Sequence, residues 1–303
     1  MRSVLFWLSL WTISATSVGT AQADYGKRFD SAWTLVAERY WDEDYGGADW
    51  LALRESYRPR ALAARSERAF YRVLEGLYDE LGDDHSVFVP PAKVQQIRAA
   101  YGDLPCLGVF GSARRERRGG VSYRLDDTVG ILTLPDLVTT GVSGQLRRTV
   151  RQLEREGATS LILDLRGNPG GRLIEMMQAT GIFTRGFLWR TLTRWTLPIP
   201  YPALGPVETE LPLAVLIDAR VNSAAEGLAG ALQSTGRARV FGQTTAGNVE
   251  AVLPFCLRDG SQAWIATGVL APVGGPTWEG RGVVPDVPTR RALQGALSYL
   301  RRR

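Results

Sequence analysis

The chain has 303 residues, 45% apolar and 22% charged, enough for one large domain or two ordinary ones, each with a proper core. Its formal charge of +5 is carried by arginines scattered among acids, with Lys27 and Lys93 as the sole lysines. No basic stripe interleaved with aromatics argues for a nucleic-acid partner. The single histidine, and two cysteines without partners at metal-ligand spacing, argue against a zinc site, and no cofactor motif is present.

The first 23 residues form a class of their own. A weakly positive Met1-Arg2, an apolar run from Val4 to Val18 and Ala21-Gln22-Ala23 predict a secretory signal peptide over 1–23, cut before Asp24. The apolar run is short for a membrane span. The expectation is an exported protein, periplasmic or secreted, with no stable membrane insertion after cleavage.

Residues 24–100 predict a small N-terminal helical domain. Phe29, Trp33, Val36 and Tyr40 give one apolar face; Phe70, Leu74, Leu77 and Leu81 give another, behind a Ser66 cap and before Gly82. In "LGDDHSVFVPP" the two prolines stop further helix. Residues 101–303 predict an α/β core. Strands are expected over 121–125, 129–134 and 160–165, and again over 213–217, 239–242, 249–257 and 261–267. Helices are expected over 142–156, 173–182 and 223–234. Strands alternating with helices imply a largely parallel sheet covered on both faces. Cys106 and Cys256 are either one disulfide or two buried thiols, since sequence lacks the geometry that decides.

Two strand-to-helix junctions carry the chemistry. Ser223 follows the buried strand 213–217 and opens a helix of small residues. Serine is a common helix cap and needs no further role. It also stands at the carboxyl end of a strand, where open α/β sheets place their ligands, and the Ala224 N–H beside it is free to meet an oxyanion. "DLRGNPGG" (164–171) ends the other junction. Gly170 and Gly171 either satisfy a tight turn or aim a backbone N–H at a substrate carbonyl. A serine hydroxyl needs a base, and His85 is the one histidine. Its orienting acid is Asp83, Asp84 or the distant Glu279.

With these pieces in place the chain resembles the C-terminal processing (tail-specific) serine protease family, which includes the tricorn core protease. The segments "AERYWDEDYGGADWLAL", "LYDELGDDHSVF", "VGILTL", "SLILDLRGNPGG", "VNSAAEGLAGALQSTGRARVFGQTTAG" and "GRGVVPDV" carry the resemblance, in that family's order. It implies a crotonase- or ClpP-like core, Ser223 as nucleophile, and an oxyanion hole from Ala224 and a glycine of the NPGG turn. Val129 follows His85 too closely for the PDZ domain that many members insert. The Ser–Lys branch has a lysine where this chain has Asn248, so the resemblance is to the tricorn-like branch, implying His85 and Glu279. That branch places a serine before the histidine, where this chain has Asp84; Ser86 is the hydroxyl at hand for such a relay.

The leading expectation is a serine peptidase acting on peptide or protein substrates through Ser223, His85 and Glu279, without metal or cofactor. A second is a non-catalytic protein binding an apolar ligand or peptide on the same scaffold, as in the retinoid-binding repeats the resemblance includes. The segment 186–206, rich in tryptophan and leucine, would line its cleft or form a lid. A crotonase-type acyl-CoA enzyme shares the oxyanion hole but does not fit a signal peptide.

Overall fold

The computed structural model describes residues 16–101 and 120–302, with side-chain surroundings for 24–99 and 120–302. Cys106 and most of the expected signal segment lie outside the described residues. Cys256 is disulfide-bonded. No helix among the described residues is long and apolar enough to cross a membrane.

The N-terminal segment folds as α1 (Thr16–Arg39), α2 (Trp50–Leu62) and α3 (Glu67–Asp79), then β1 (Val87–Val89) and α4 (Pro91–Tyr101). Asp49 and Ser66 cap α2 and α3 through their side chains. The expected apolar faces are buried, with Phe29, Val36, Phe70 and Leu77 fully enclosed. The prolines do not end helix formation after all. Pro91 opens α4, where a missing N–H costs nothing because the first turn leaves its donors free.

The remainder supplies β2 (Ser122–Asp126), β3 (Val129–Thr133), α5 (Val142–Arg155), β4 (Ser160–Asp164), α6 (Leu173–Thr180), β5 (Phe187–Leu192) and β6 (Ile199–Pro202). It continues through β7 (Leu213–Ile217), α7 (Ala224–Ser234), β8 (Ala238–Gly242), β9 (Glu250–Cys256), β10 (Gln262–Pro272), β11 (Val287–Pro288) and α8 (Ala292–Leu300). One sheet has the order β11-β8-β7-β4-β3-β2, parallel except for the β2–β3 pair. Its central strands are apolar on both faces. Leu161, Leu163, Val215 and Ile217 join the core with α5–α7, whereas Ile162, Ala214 and Leu216 pack with α8.

A second sheet, antiparallel, was not evident from the strand–helix alternation. It runs β1-β10-β5-β6, with β9 also on β10. Helix α7 lies between the sheets and is buried from Ala224 to Leu232. A Cβ on Gly227 would stand 2.5 Å from the Met176 sulfur, and one on Gly230 would meet the Trp278 ring at 2.3 Å. Its small residues therefore admit neighbouring side chains, not another backbone. The helical segment has no core of its own: its aromatics share one with Phe255, Ala263, Ile265 and Ala266 of β9 and β10. β1 completes the merger by pairing with β10, which carries the loop before it onto the core.

Candidate active site

Strands β4 and β7 are neighbours, so the turns after them lie side by side. Asn168 ties them together. Fully buried, it donates its side-chain amide to Leu134 O (2.9 Å), accepts Gly170 N–H (2.8 Å) on Oδ1, and accepts Asn222 N–H (3.0 Å) on its carbonyl. Asp218 adds a second tie, accepting Gly167 N–H at 3.0 Å. A Cβ placed on Gly170 would lie 2.6 Å from Asn222 O and 2.9 Å from both Ala224 N and Ser223 Cβ. The glycine turn thus lies directly against the Ser223 loop. Gly170 and Gly171 adopt φ of 86° and 146°, which a side chain would oppose.

Ser223 is the N-cap residue of α7, but its backbone is at φ 52°, ψ −124°, a region that L residues rarely occupy. Buried Glu226 holds it there. That carboxylate, 0% exposed, accepts Ser223 N–H (2.9 Å), Thr245 Oγ1–H (2.6 Å), Gly247 N–H (2.7 Å) and Asn248 N–H (3.0 Å). Asn248 O accepts Ser223 N–H as well (3.0 Å). Among the described residues, Ala224 N–H and Gly171 N–H have no protein acceptor. Gly170 N–H, by contrast, is taken by Asn168, so of the two expected glycines only Gly171 has a free donor.

His85 comes from the loop after α3, folded by Asp83 Oδ1, which accepts the backbone N–H groups of His85 and Ser86. The carboxylate hydrogen-bonded to it is that of Glu250, while Glu279 acts on it through charge alone. Glu250 Oε2 lies 3.0 Å from His85 Nδ1, and Oε1 accepts the Trp41 indole N–H at 2.9 Å. Glu279 instead accepts Val249 N–H at 2.7 Å. Ser86 Oγ accepts Ala266 N–H (3.0 Å), which leaves its own O–H to donate. Asp84 is exposed. Neither Glu226 nor Glu250 was singled out in the sequence. Glu226 had a local signal, serine followed three residues later by glutamate at a helix start. Glu250 had none.

Residues 248–250 link the two halves. Asn248 touches Ser223 and Glu250 touches His85, and Cα atoms two residues apart are at most about 7 Å from each other. Among the described residues no direct hydrogen bond joins Ser223 to His85.

The electrostatics suit a histidine base. Burial disfavours the charged imidazole, but the Glu250 hydrogen bond and charge, backed by Asp83 and Glu279, hold the His85 pKa above its ordinary value. Burial pushes the Glu279 carboxyl up to about 7, with the Glu250 and Glu226 charges adding to the rise and Val249 N–H and His85 opposing it. This carries a sign. Between its ordinary value and about 7, Glu279 keeps a proton in the folded state that the unfolded chain has lost, so its contribution to stability falls as pH rises through that window. Glu279→Gln is expected to flatten that slope in urea titrations at successive pH values; an unchanged slope would refute it.

The family model for peptidase family S41 matches residues 128–289, more than half of the chain. The chain belongs to peptidase family S41. A model for the tricorn protease C1 domain matches residues 21–78 of this S41 chain. A carboxyl-terminal-processing protease from Picosynechococcus sp. is 36% identical over 118 residues, 39% of this chain and 28% of the relative. Another from Bartonella bacilliformis is 28% identical over 187 residues, 57% of this chain and 41% of the relative. The S41 chain thus spans less than half the length of these relatives. Among solved structures, a photosystem II D1 C-terminal processing protease shares the fold at TM-score 0.71 and 19% identity, covering 92% of this chain and 96% of that one. The tricorn protease does so at TM-score 0.53 and 16% identity, covering 92% of this chain and 35% of that one.

Proposed function

We propose that this S41 chain is an exported serine peptidase that hydrolyses peptide bonds. Ser223 is the nucleophile, His85 its base, Glu250 the carboxylate that orients His85, and the Ala224 and Gly171 N–H groups the oxyanion donors. The observation that carries this reading is the strained Ser223, placed between an unpaired Ala224 N–H and the glycine turn. Strain of this kind is retained where the surrounding structure enforces it, and here Glu226 and Asn248 do so.

In this reading Ser223 Oγ attacks the scissile carbonyl carbon as its proton passes to His85 Nε2. The carbonyl oxygen takes the negative charge between the two N–H groups, each worth about 3–4 kcal/mol of barrier in comparable sites. Collapse of the tetrahedral intermediate expels the amine, which takes the proton from His85. Water then repeats the sequence on the acyl-enzyme, releasing the acid and restoring Ser223. Glu250 keeps Nδ1 protonated, so that Nε2 is the basic nitrogen. The gap between Ser223 and His85 is one that substrate binding closes in enzymes of this type.

Digestion of a peptide library, with labelling of Ser223 by a fluorophosphonate, tests the proposal. Cleavage and labelling are expected from the chain starting at Asp24, and His85→Ala should lose both. A wild-type chain that neither cleaves nor labels overturns the reading. Glu250→Gln is expected to lower kcat roughly 10²- to 10⁴-fold. It should also move the acid limb of kcat/KM to lower pH, because His85 loses the partner that raises its pKa. An acid limb left in place would show that Glu250 does not act on His85.

A further inference from the structure

Glu250 has two side-chain partners among the described residues, His85 on one oxygen and Trp41 on the other. The carboxylate is 4% exposed. With no other hydrogen bond to fix its rotation, the Trp41 indole decides which way Oε2 faces. Trp41 itself is anchored: its backbone N–H donates to Ala266 O at 2.9 Å. The N–H of the same Ala266 donates to Ser86 Oγ at 3.0 Å, beside His85. One residue of β10, next to the register shift between Ala266 and Gly268, therefore pins both the loop carrying the base and the loop carrying the indole.

We propose that Trp41 is a positioning residue of the peptidase site, holding the Glu250 carboxylate on His85 Nδ1 through its indole N–H. The proposal rests on the Ser223, His85 and Glu250 reading above. Its consequence is a division of labour. The N-terminal helical segment supplies the base and the hydrogen bond that aims its acid, and the α/β core supplies the nucleophile and oxyanion donors. A buried carboxylate with a single partner is free to swing away from it, and the second donor removes that freedom.

Trp41→Phe keeps a ring and removes the N–H. His85 is the sole histidine, so imidazole proton NMR of the untagged chain follows its titration without ambiguity. The groups facing His85 are Glu250, Asp83 and Glu279, with Tyr40 near Asp83 and Glu250; Trp41→Phe leaves all of them in place. The His85 pKa is expected to fall in Trp41→Phe toward its value in Glu250→Gln, and the double variant should match Glu250→Gln alone. In parallel kcat should fall roughly 10- to 100-fold with KM little changed. A His85 pKa unchanged or raised in Trp41→Phe overturns the proposal.

A measurement on the wild type guards against a variant that fails to fold. One tryptophan indole N–H signal should shift with an inflection at the His85 pKa, and lose that inflection in Glu250→Gln. Absence of any such signal equally overturns the proposal. Hydrolysis and Ser223 labelling are scored separately, so a failed peptidase reading and a failed positioning role give different results.

Discussion

Ser223→Gly is expected to abolish peptide hydrolysis and yet make the protein more stable. The backbone at φ 52°, ψ −124° suits glycine and opposes any L side chain. Holding a non-glycine residue in such a region costs about 1–3 kcal/mol. Glycine recovers most of that and gives back about 0.5–1 kcal/mol through the greater freedom of the unfolded chain. A net gain of about 1 kcal/mol should appear as a higher midpoint in urea denaturation with an unchanged slope. Ser223→Ala keeps the strain and loses any cap, so it should lie at or up to about 1 kcal/mol below wild type. Both variants should lose activity by roughly 10⁴-fold or more. Retained hydrolysis in either would remove Ser223 as nucleophile. A Gly variant less stable than wild type would show that the Ser223 conformation carries no stored strain.

Gly170→Ala should damage the site by pressing a single methyl group onto the Ser223 loop. A Cβ there meets Asn222 O at 2.6 Å and Ala224 N at 2.9 Å, both backbone atoms with no rotamer to yield. The φ of 86° adds about 1–2 kcal/mol of its own. The turn or the Ser223 loop must move, and with either goes the alignment of the Ala224 and Gly171 N–H groups. A loss of roughly 10²- to 10³-fold in kcat is expected, the size of one missing oxyanion donor. Gly167→Ala is the control. Its φ of 74° imposes similar strain, but its Cβ would meet only the Arg220 guanidinium, at 3.4 Å and beyond. It should lower stability and leave kcat nearly intact. Equal activity losses in the two variants would mean that contact between the turn and Ser223 is not what matters.

Both predictions concern junctions that were legible in the sequence. Buried runs at 160–165 and 213–217, each followed by a turn and a helix, were evident from local pattern. Parallel pairing then obliged the two turns to share a sheet edge. His85 stood out because no other histidine exists. Which glycine offers its N–H was not legible, because that depends on Asn168 folding its own side chain back onto Gly170. The second sheet was not legible either, since β9 and β10 form a hairpin whose partners β1 and β5 lie far away in sequence.

The sequence by itself determined the local chemistry: a serine at a helix start, a glycine turn, one histidine in a loop, and several acids able to serve it. Tertiary structure alone decided which acid is hydrogen-bonded to it. Glu250 and His85 are 165 positions apart, and they meet because β1 and β9 both pair with β10. Glu279, the residue expected in that place, accepts Val249 N–H and acts on His85 through charge. Local propensity specifies turns and caps over a few residues. Contacts across a sheet follow from register, which is set by the packing of whole strands and leaves no mark on the neighbours of Glu250.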